Sequence, residues 1–305
     1  MKIYQTLLYS ALVLLSLSSC SKEGDLEPSG ADKNYFAADD NATDQESVLR
    51  RDFYKKNSSY VLFNDTLRRE ELGADANGVM QYFIETVDVP YTMNSTPFYA
   101  YKYQYMTDIS NKRSAVSFVE DDLLPHLSAK LRPFSWLLVN HVTKYGVSDN
   151  VYTYNSDPLF VVGNRATAVA LETLQGMDDS QKSEFAKTIL DGIIANKVVA
   201  QTTATLEPFT KYSSSLYGTY TTDYVWTEEE NLLAMNKAGF VTAHYYDIYL
   251  MYNTYPSKEE DIASFAKLVV EKTQAEVQAL YPDNTTILTK YLAMRAIVSN
   301  LGYVF

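Results

Sequence analysis

The only cysteine in this chain, Cys20, sits just after an apolar run from Leu7 to Leu17. No disulfide can staple anything downstream of it. The rest of the 305-residue chain must therefore hold itself together with a buried core. A chain this long can bury one large core or two smaller lobes. Lys2, the apolar run and the small residues Ser18 and Ser19 have the layout of a secretory signal over residues 1–19. The run falls short of the roughly 20 apolar residues that a membrane-spanning helix needs. Residues 20–45 are rich in Gly, Ser, Asn and Asp without an apolar period, which predicts a flexible tether. Residues 46–305 are the expected folded part, as one domain or two lobes.

Leu17-Ser18-Ser19-Cys20 resembles a bacterial lipobox, in which the cysteine is diacylated and becomes the mature N-terminus. The acidic stretch from Ser21 to Glu27 is similar to the export signals of Bacteroidota surface lipoproteins. The resemblance implies an outer-membrane protein held by lipid chains through Cys20 and facing outward, with the membrane as one partner. Each buried methylene contributes about 0.8 kcal/mol, so several acyl chains anchor a protein stably. The formal charge of −12 and the lack of a basic stripe argue against a nucleic-acid partner.

Periodicity predicts a short helix over residues 47–54 and strands over 60–63, 98–106, 151–154 and 159–162. Residues 123–145 read as helix-rich, with breaks at Pro125 and Pro133. Asp179 to Val199 reads as a helix whose Phe185, Ile189 and Val199 lie along one side. Residues 202–226 read as a long ordered loop, and Glu228 to Met235 as a short helix. Ser257-x-x-Glu260 is a capping box that opens a helix expected to run to Leu280, before Pro282. A last helix covers residues 286–300.

Chemistry-bearing residues are sparse. His126, His141 and His244 are far apart, and none has another histidine at i+4, so the helix-borne zinc pair of HExxH is missing. No thiol nucleophile remains once Cys20 is acylated, and there is no G-x-S-x-G elbow or phosphate-binding glycine loop. Glu120-Asp121-Asp122 and Glu259-Glu260-Asp261 read as solvated or helix-starting charge. The 26 tyrosines call for an explanation. Tyr99, Tyr101, Tyr103 and Tyr105 alternate along one strand, so a period of two puts all four on one sheet face. Such a row either packs a core or forms a ligand platform, and packing is the commoner use.

Lys237-Ala238-Gly239-Phe240-Val241-Thr242 and Glu259-Glu260-Asp261-Ile262-Ala263, following an apolar helix and an aromatic stretch, resemble the zinc-binding metallopeptidase lipoproteins of Bacteroidota. The likeness covers residues 159–305. In that family the helix carries His-Glu-x-x-His, and the acidic helix start is thought to supply another metal ligand. Here Gly192-Ile193-Ile194-Ala195-Asn196 falls where that motif would lie. At 100° per residue Gly192 and Asn196 take the Phe185–Ile189 side and are expected to point inward, without an imidazole. Ile193 stands in for the glutamate base and cannot polarise water. The resemblance makes Glu260 and Asp261 candidate cleft acids, although Glu260 also has its capping role.

The expected architecture is α+β, zincin-like, with a small N-terminal sheet and a helical C-terminal half. The expected function is noncatalytic binding of a peptide or glycan at the cell surface, with no cofactor and no metal. The alternative is a zinc-dependent hydrolase with a non-standard metal site.

Overall fold

A computed structural model describes residues 33–90, 98–221, 227–243 and 253–305. Cys20, the signal segment and His244 lie outside the described residues. In chain order the first elements are α1 (Gln45–Asn57), β1 (Tyr60–Leu62), β2 (Thr66–Ala74), β3 (Met80–Thr86), β4 (Tyr99–Tyr105) and α2 (Ile109–Phe118). Strands β5 (Ser135–Ser148), β6 (Val151–Ser156), β7 (Phe160–Val162) and β8 (Thr167–Ala170) follow. Among the described residues six helices follow: α3 (Asp179–Val199), α4 (Thr203–Thr210), α5 (Glu228–Lys237), α6 (Lys258–Glu271), α7 (Gln274–Leu280) and α8 (Thr285–Leu301). Strands dominate the first half and helices the second, which makes the fold α+β.

Strand β5 organises the sheet. Its first half pairs in parallel with β1 on one side and β8 on the other, and β7 closes the β8 edge. Its second half pairs antiparallel with β4 and β6. Trp136 and Leu138 face the helices, while Leu137 and Val139 face a second, smaller core with Phe36, Leu62, Val87 and Val161. All four are fully buried, because the sheet is covered on both faces at this level.

That double burial is why the expectation of helix over residues 123–145 fails. Trp136-Leu137-Leu138-Val139 is a continuous apolar run, and periodicity cannot tell a strand buried on both faces from a buried helix segment. Only its start is helical: α2 runs on through a π turn (Val119–Leu123) and a 3-10 turn (Leu124–His126). Order also begins earlier than residue 46. Phe36 is only 3% exposed, and its carbonyl accepts from the Arg50 guanidinium at 3.0 Å.

The helical half follows its capping signals. Asp178 and Gln181 close a capping box on α3, and Ser257 and Glu260 close the expected one on α6. The expected single helix to Leu280 is two helices. Thr273-x-x-Glu276 forms another capping box, which ends the first helix and starts α7. The expected loop after residue 202 likewise opens with α4, capped by the Thr202 side chain. Helices α3, α6 and α8 share the main core with Trp136 and Leu138 through Ile189, Ile193, Phe265, Tyr291 and Met294.

Candidate functional site

The structure does not gather the sequence-predicted site residues into one cleft. Gly192 lies against β7, where a Cβ would meet the Phe160 ring at 2.0 Å, so its role is close helix–strand packing. Ile193 is fully buried. Asn196 is exposed, which corrects the inward orientation read from the helical wheel. A helix that crosses its neighbours at an angle shows them a different side at each end. The buried arc of α3 accordingly moves from Phe185 and Ile189 to Ile194 and Val198, leaving Asn196 outside it.

Glu260 and Asp261, adjacent in sequence, part completely. Glu260 is exposed and accepts from the Ser257 backbone N–H at 2.7 Å, the bond that closes the capping box. Asp261 is fully buried in an ion pair with Lys290, each carboxylate oxygen 2.8 Å from Nζ. Lys290 also donates to Ser213 Oγ at 2.8 Å and the Gly239 carbonyl at 2.9 Å, beneath the Phe209, Phe240 and Phe265 rings. Tyr217 Oη donates to Asp261 Oδ2 at 2.8 Å. Burial pushes the Asp261 carboxyl up and the Lys290 ammonium down, and their mutual attraction opposes both shifts. With both side chains fully buried, no substrate reaches this pair. Its chemistry is structural: it ties α6, α8, the turn after α4 and the Gly239-Phe240 segment together.

A cleft of about 610 Å³ opens between α3, α6 and the C-terminal segment, lined by Asp121, Asp122, His126, Lys187, Glu271 and Arg295 among others. Beside Glu271, Asp191 is 8% exposed, and its carboxyl is pushed up to about 8. Burial is the main cause, followed by the charge of Glu271 and a hydrogen bond to it. Nothing in the spacing of Asp191 and Glu271, 80 positions apart, marked this carboxyl pair. Among the described residues no group of three or more His, Cys, Asp and Glu side chains could hold a metal ion. His126 Nδ1–H donates to the Val304 carbonyl at 2.9 Å, and the ring stacks on Tyr303. His141 lies between Asp157 and Glu172 at 3.2 and 3.3 Å.

The tyrosine row divides in two. Tyr101 and Tyr103 are half-buried against the smaller core, and burial raises the pKa of both hydroxyls. Tyr99 and Tyr105 are 47% and 38% exposed. A register shift between Gln104 and Tyr105 interrupts the alternation, and Tyr105 Oη donates to Asp65 at 2.7 Å. Full burial would make Tyr101→Ala a 3 to 5 kcal/mol substitution, but half-burial lowers the expectation to about 1 to 2 kcal/mol. A shift of the urea midpoint at constant slope measures it, and a loss above 3 kcal/mol would contradict the half-buried placement.

Beyond these tyrosines the sheet end is bare. Phe98, Tyr152 and Tyr154 are 70%, 64% and 61% exposed. Tyr154 and Tyr145 are cross-strand partners and share one face, whereas Tyr99, Gly146 and Thr153 share the other. No family model, curated protein or solved structure matches this chain.

Proposed function

We propose that this chain is a lipoprotein anchored through Cys20 in the outer membrane, facing outward, that binds a peptide or glycan without cleaving it. The observation that carries the binding reading is the bare aromatic end of the β4–β5–β6 sheet, where Phe98, Tyr152 and Tyr154 are more than half exposed. Large aromatic rings with a polar tip suit contacts that are apolar on one side and wet on the other. Residues 159–305 support a degenerate metallopeptidase-like, zincin-like scaffold: α3 carries Gly192, Ile193 and Asn196 where the resembled family has its metal helix. No helix among the described residues is long and apolar enough to cross a membrane, so attachment in this reading rests on acyl chains.

Cys20→Ser tests the anchor. Acylation needs the thiol, so the variant is expected to lose lipid labelling and to leave the membrane fraction. Unchanged fractionation would refute the lipoprotein reading, and full protection from protease on intact cells would refute outward display. The hydrolase alternative draws on the cleft that Glu271 lines, with the raised Asp191 carboxyl next to Glu271 behind that lining. Cleavage of denatured casein, lost in Asp191→Asn, would favour that alternative over binding.

A further inference from the structure

Across the β4–β5–β6 sheet, Tyr99, Gly146 and Thr153 are cross-strand partners, so their side chains form one row on one face. Gly146 holds the centre of that row without a side chain. A glycine inside a strand weakens it, and often marks a place where something else approaches closely. The gap is a trough of about 430 Å³ lined by Phe98, Tyr99, Gly146, Val147, Ser148 and Thr153. The Phe98 carbonyl accepts from the Val147 N–H at 3.0 Å, which fixes the Phe98 backbone at the rim. The lining thus combines two exposed aromatic residues with the hydroxyls of Tyr99, Ser148 and Thr153. A pyranose ring matches it, with C–H groups on one face and hydroxyls around the edge.

Charge narrows the class. In a chain of net charge −12, the neighbouring row presents a cation: Lys144, partner of Tyr101, with Nζ 3.7 Å from the centre of the Tyr99 ring. No carboxylate pairs with Lys144 among the described residues. Asp149 lies at the β5–β6 turn, beyond Ser148. At about 3.3 Å per residue it is roughly 16 Å from Lys144, so the ammonium over the Tyr99 ring stands well clear of the turn carboxylate. An exposed ammonium–ring contact is worth only about 0.5 to 1 kcal/mol, so Lys144 can leave the ring for an anion at little cost.

We propose that this trough is a binding site for an acidic saccharide, with a sugar ring against Phe98 and Tyr99 and its carboxylate on Lys144. The inference rests on the binding-protein reading above and gives it a place and a ligand class. Gly146→Ile provides a test that separates site from fold. A Cβ at Gly146 meets nothing closer than the Thr153 carbonyl at 3.9 Å, and isoleucine suits a strand. The variant is therefore expected to fold at least as well as the parent while filling the trough.

The probe is tetragalacturonic acid, titrated calorimetrically into the full chain in detergent, with galactotetraose and a poly-glutamate peptide as comparisons. The expected result is binding of tetragalacturonate that falls at least tenfold in Gly146→Ile. Lys144→Met should remove most of the preference over galactotetraose, and raised salt should weaken binding. Equal binding of the neutral sugar, or binding of poly-glutamate instead, would overturn the acidic-saccharide assignment and leave the binding-protein reading intact. Tetragalacturonate binding that Gly146→Ile does not alter would overturn the site while leaving that reading intact. No binding of any of the three probes would overturn the acidic-saccharide inference. Failure on a broad panel of peptides and glycans would then count against the binding-protein reading itself.

Discussion

Lys290→Met is expected to cost about 3 to 5 kcal/mol of folding stability, a large share of what a domain has to lose. The substitution keeps the apolar stem under the Phe209, Phe240 and Phe265 rings and removes only the ammonium group. Asp261 then remains fully buried with the Tyr217 hydroxyl as its remaining hydrogen-bond donor among those described. Leaving one half of a buried ion pair is the expensive change. Replacing both halves with apolar groups is often close to neutral. Lys290→Met with Asp261→Leu should therefore be more stable than Lys290→Met alone. It should still fall short of the parent, because Tyr217 Oη, Ser213 Oγ and the Gly239 carbonyl lose their partners. Guanidinium unfolding of the three proteins at constant slope reads these differences. A loss below 1 kcal/mol in the single variant would show that the cluster is not held together by charge.

Asp191→Asn is expected to stabilise the protein, and only above acid pH. The Asp191 carboxyl is pushed up to about 8 from an ordinary 3.8, by burial first and by Glu271 second. Between those two pH values the folded chain keeps a proton that the unfolded chain has released. The unfolded state binds fewer protons, so stability declines as pH rises from about 4 to about 8 and then levels off. Asparagine never ionises and still offers a donor to Glu271. At roughly 1.4 kcal/mol per unit, and with the proton shared between two carboxyls, the gain at pH 8.5 should be about 2 to 5 kcal/mol. At pH 4 the gain should vanish. Lys187 and Lys267, which act on Asp191 in the opposite sense, are unchanged in the variant. Urea midpoints of parent and variant across this range provide the measurement. Profiles that run parallel from pH 4 to 8.5 would mean that Asp191 carries its charge throughout.

Local order could be read from the residues wherever the signal was local. The capping box at Ser257 and Glu260 and the span of α3 follow from side-chain-to-backbone hydrogen bonds and periodicity within a few residues. The same logic, applied to Thr273 and Glu276, marks the helix break that a longer apolar pattern obscured. Asn77-Gly78 between Thr66–Ala74 and Met80–Thr86 is likewise a hairpin signal in plain view. The flanking charges Arg68, Arg69, Glu70 and Glu71 hide the alternation of its strands.

What the sequence could not decide was which groups meet. Glu260 and Asp261 are neighbours on one helix, and a turn of 100° sends one to solvent and the other into the core with Lys290, 29 positions away. Gly192 reads in the sequence as one small residue in an apolar helix, and only the Phe160 ring packed against it shows the close contact it permits. The Asp191–Glu271 pair and the row of Tyr99, Gly146 and Thr153 exist because helices pack and strands register across long stretches of chain. Cys20, the acidic charge and the want of an HExxH pair belong to the sequence itself, since each depends on residue type and near spacing alone. Burial, charge pairing and the shape of the trough depend on what is brought alongside, and only tertiary contact sets that.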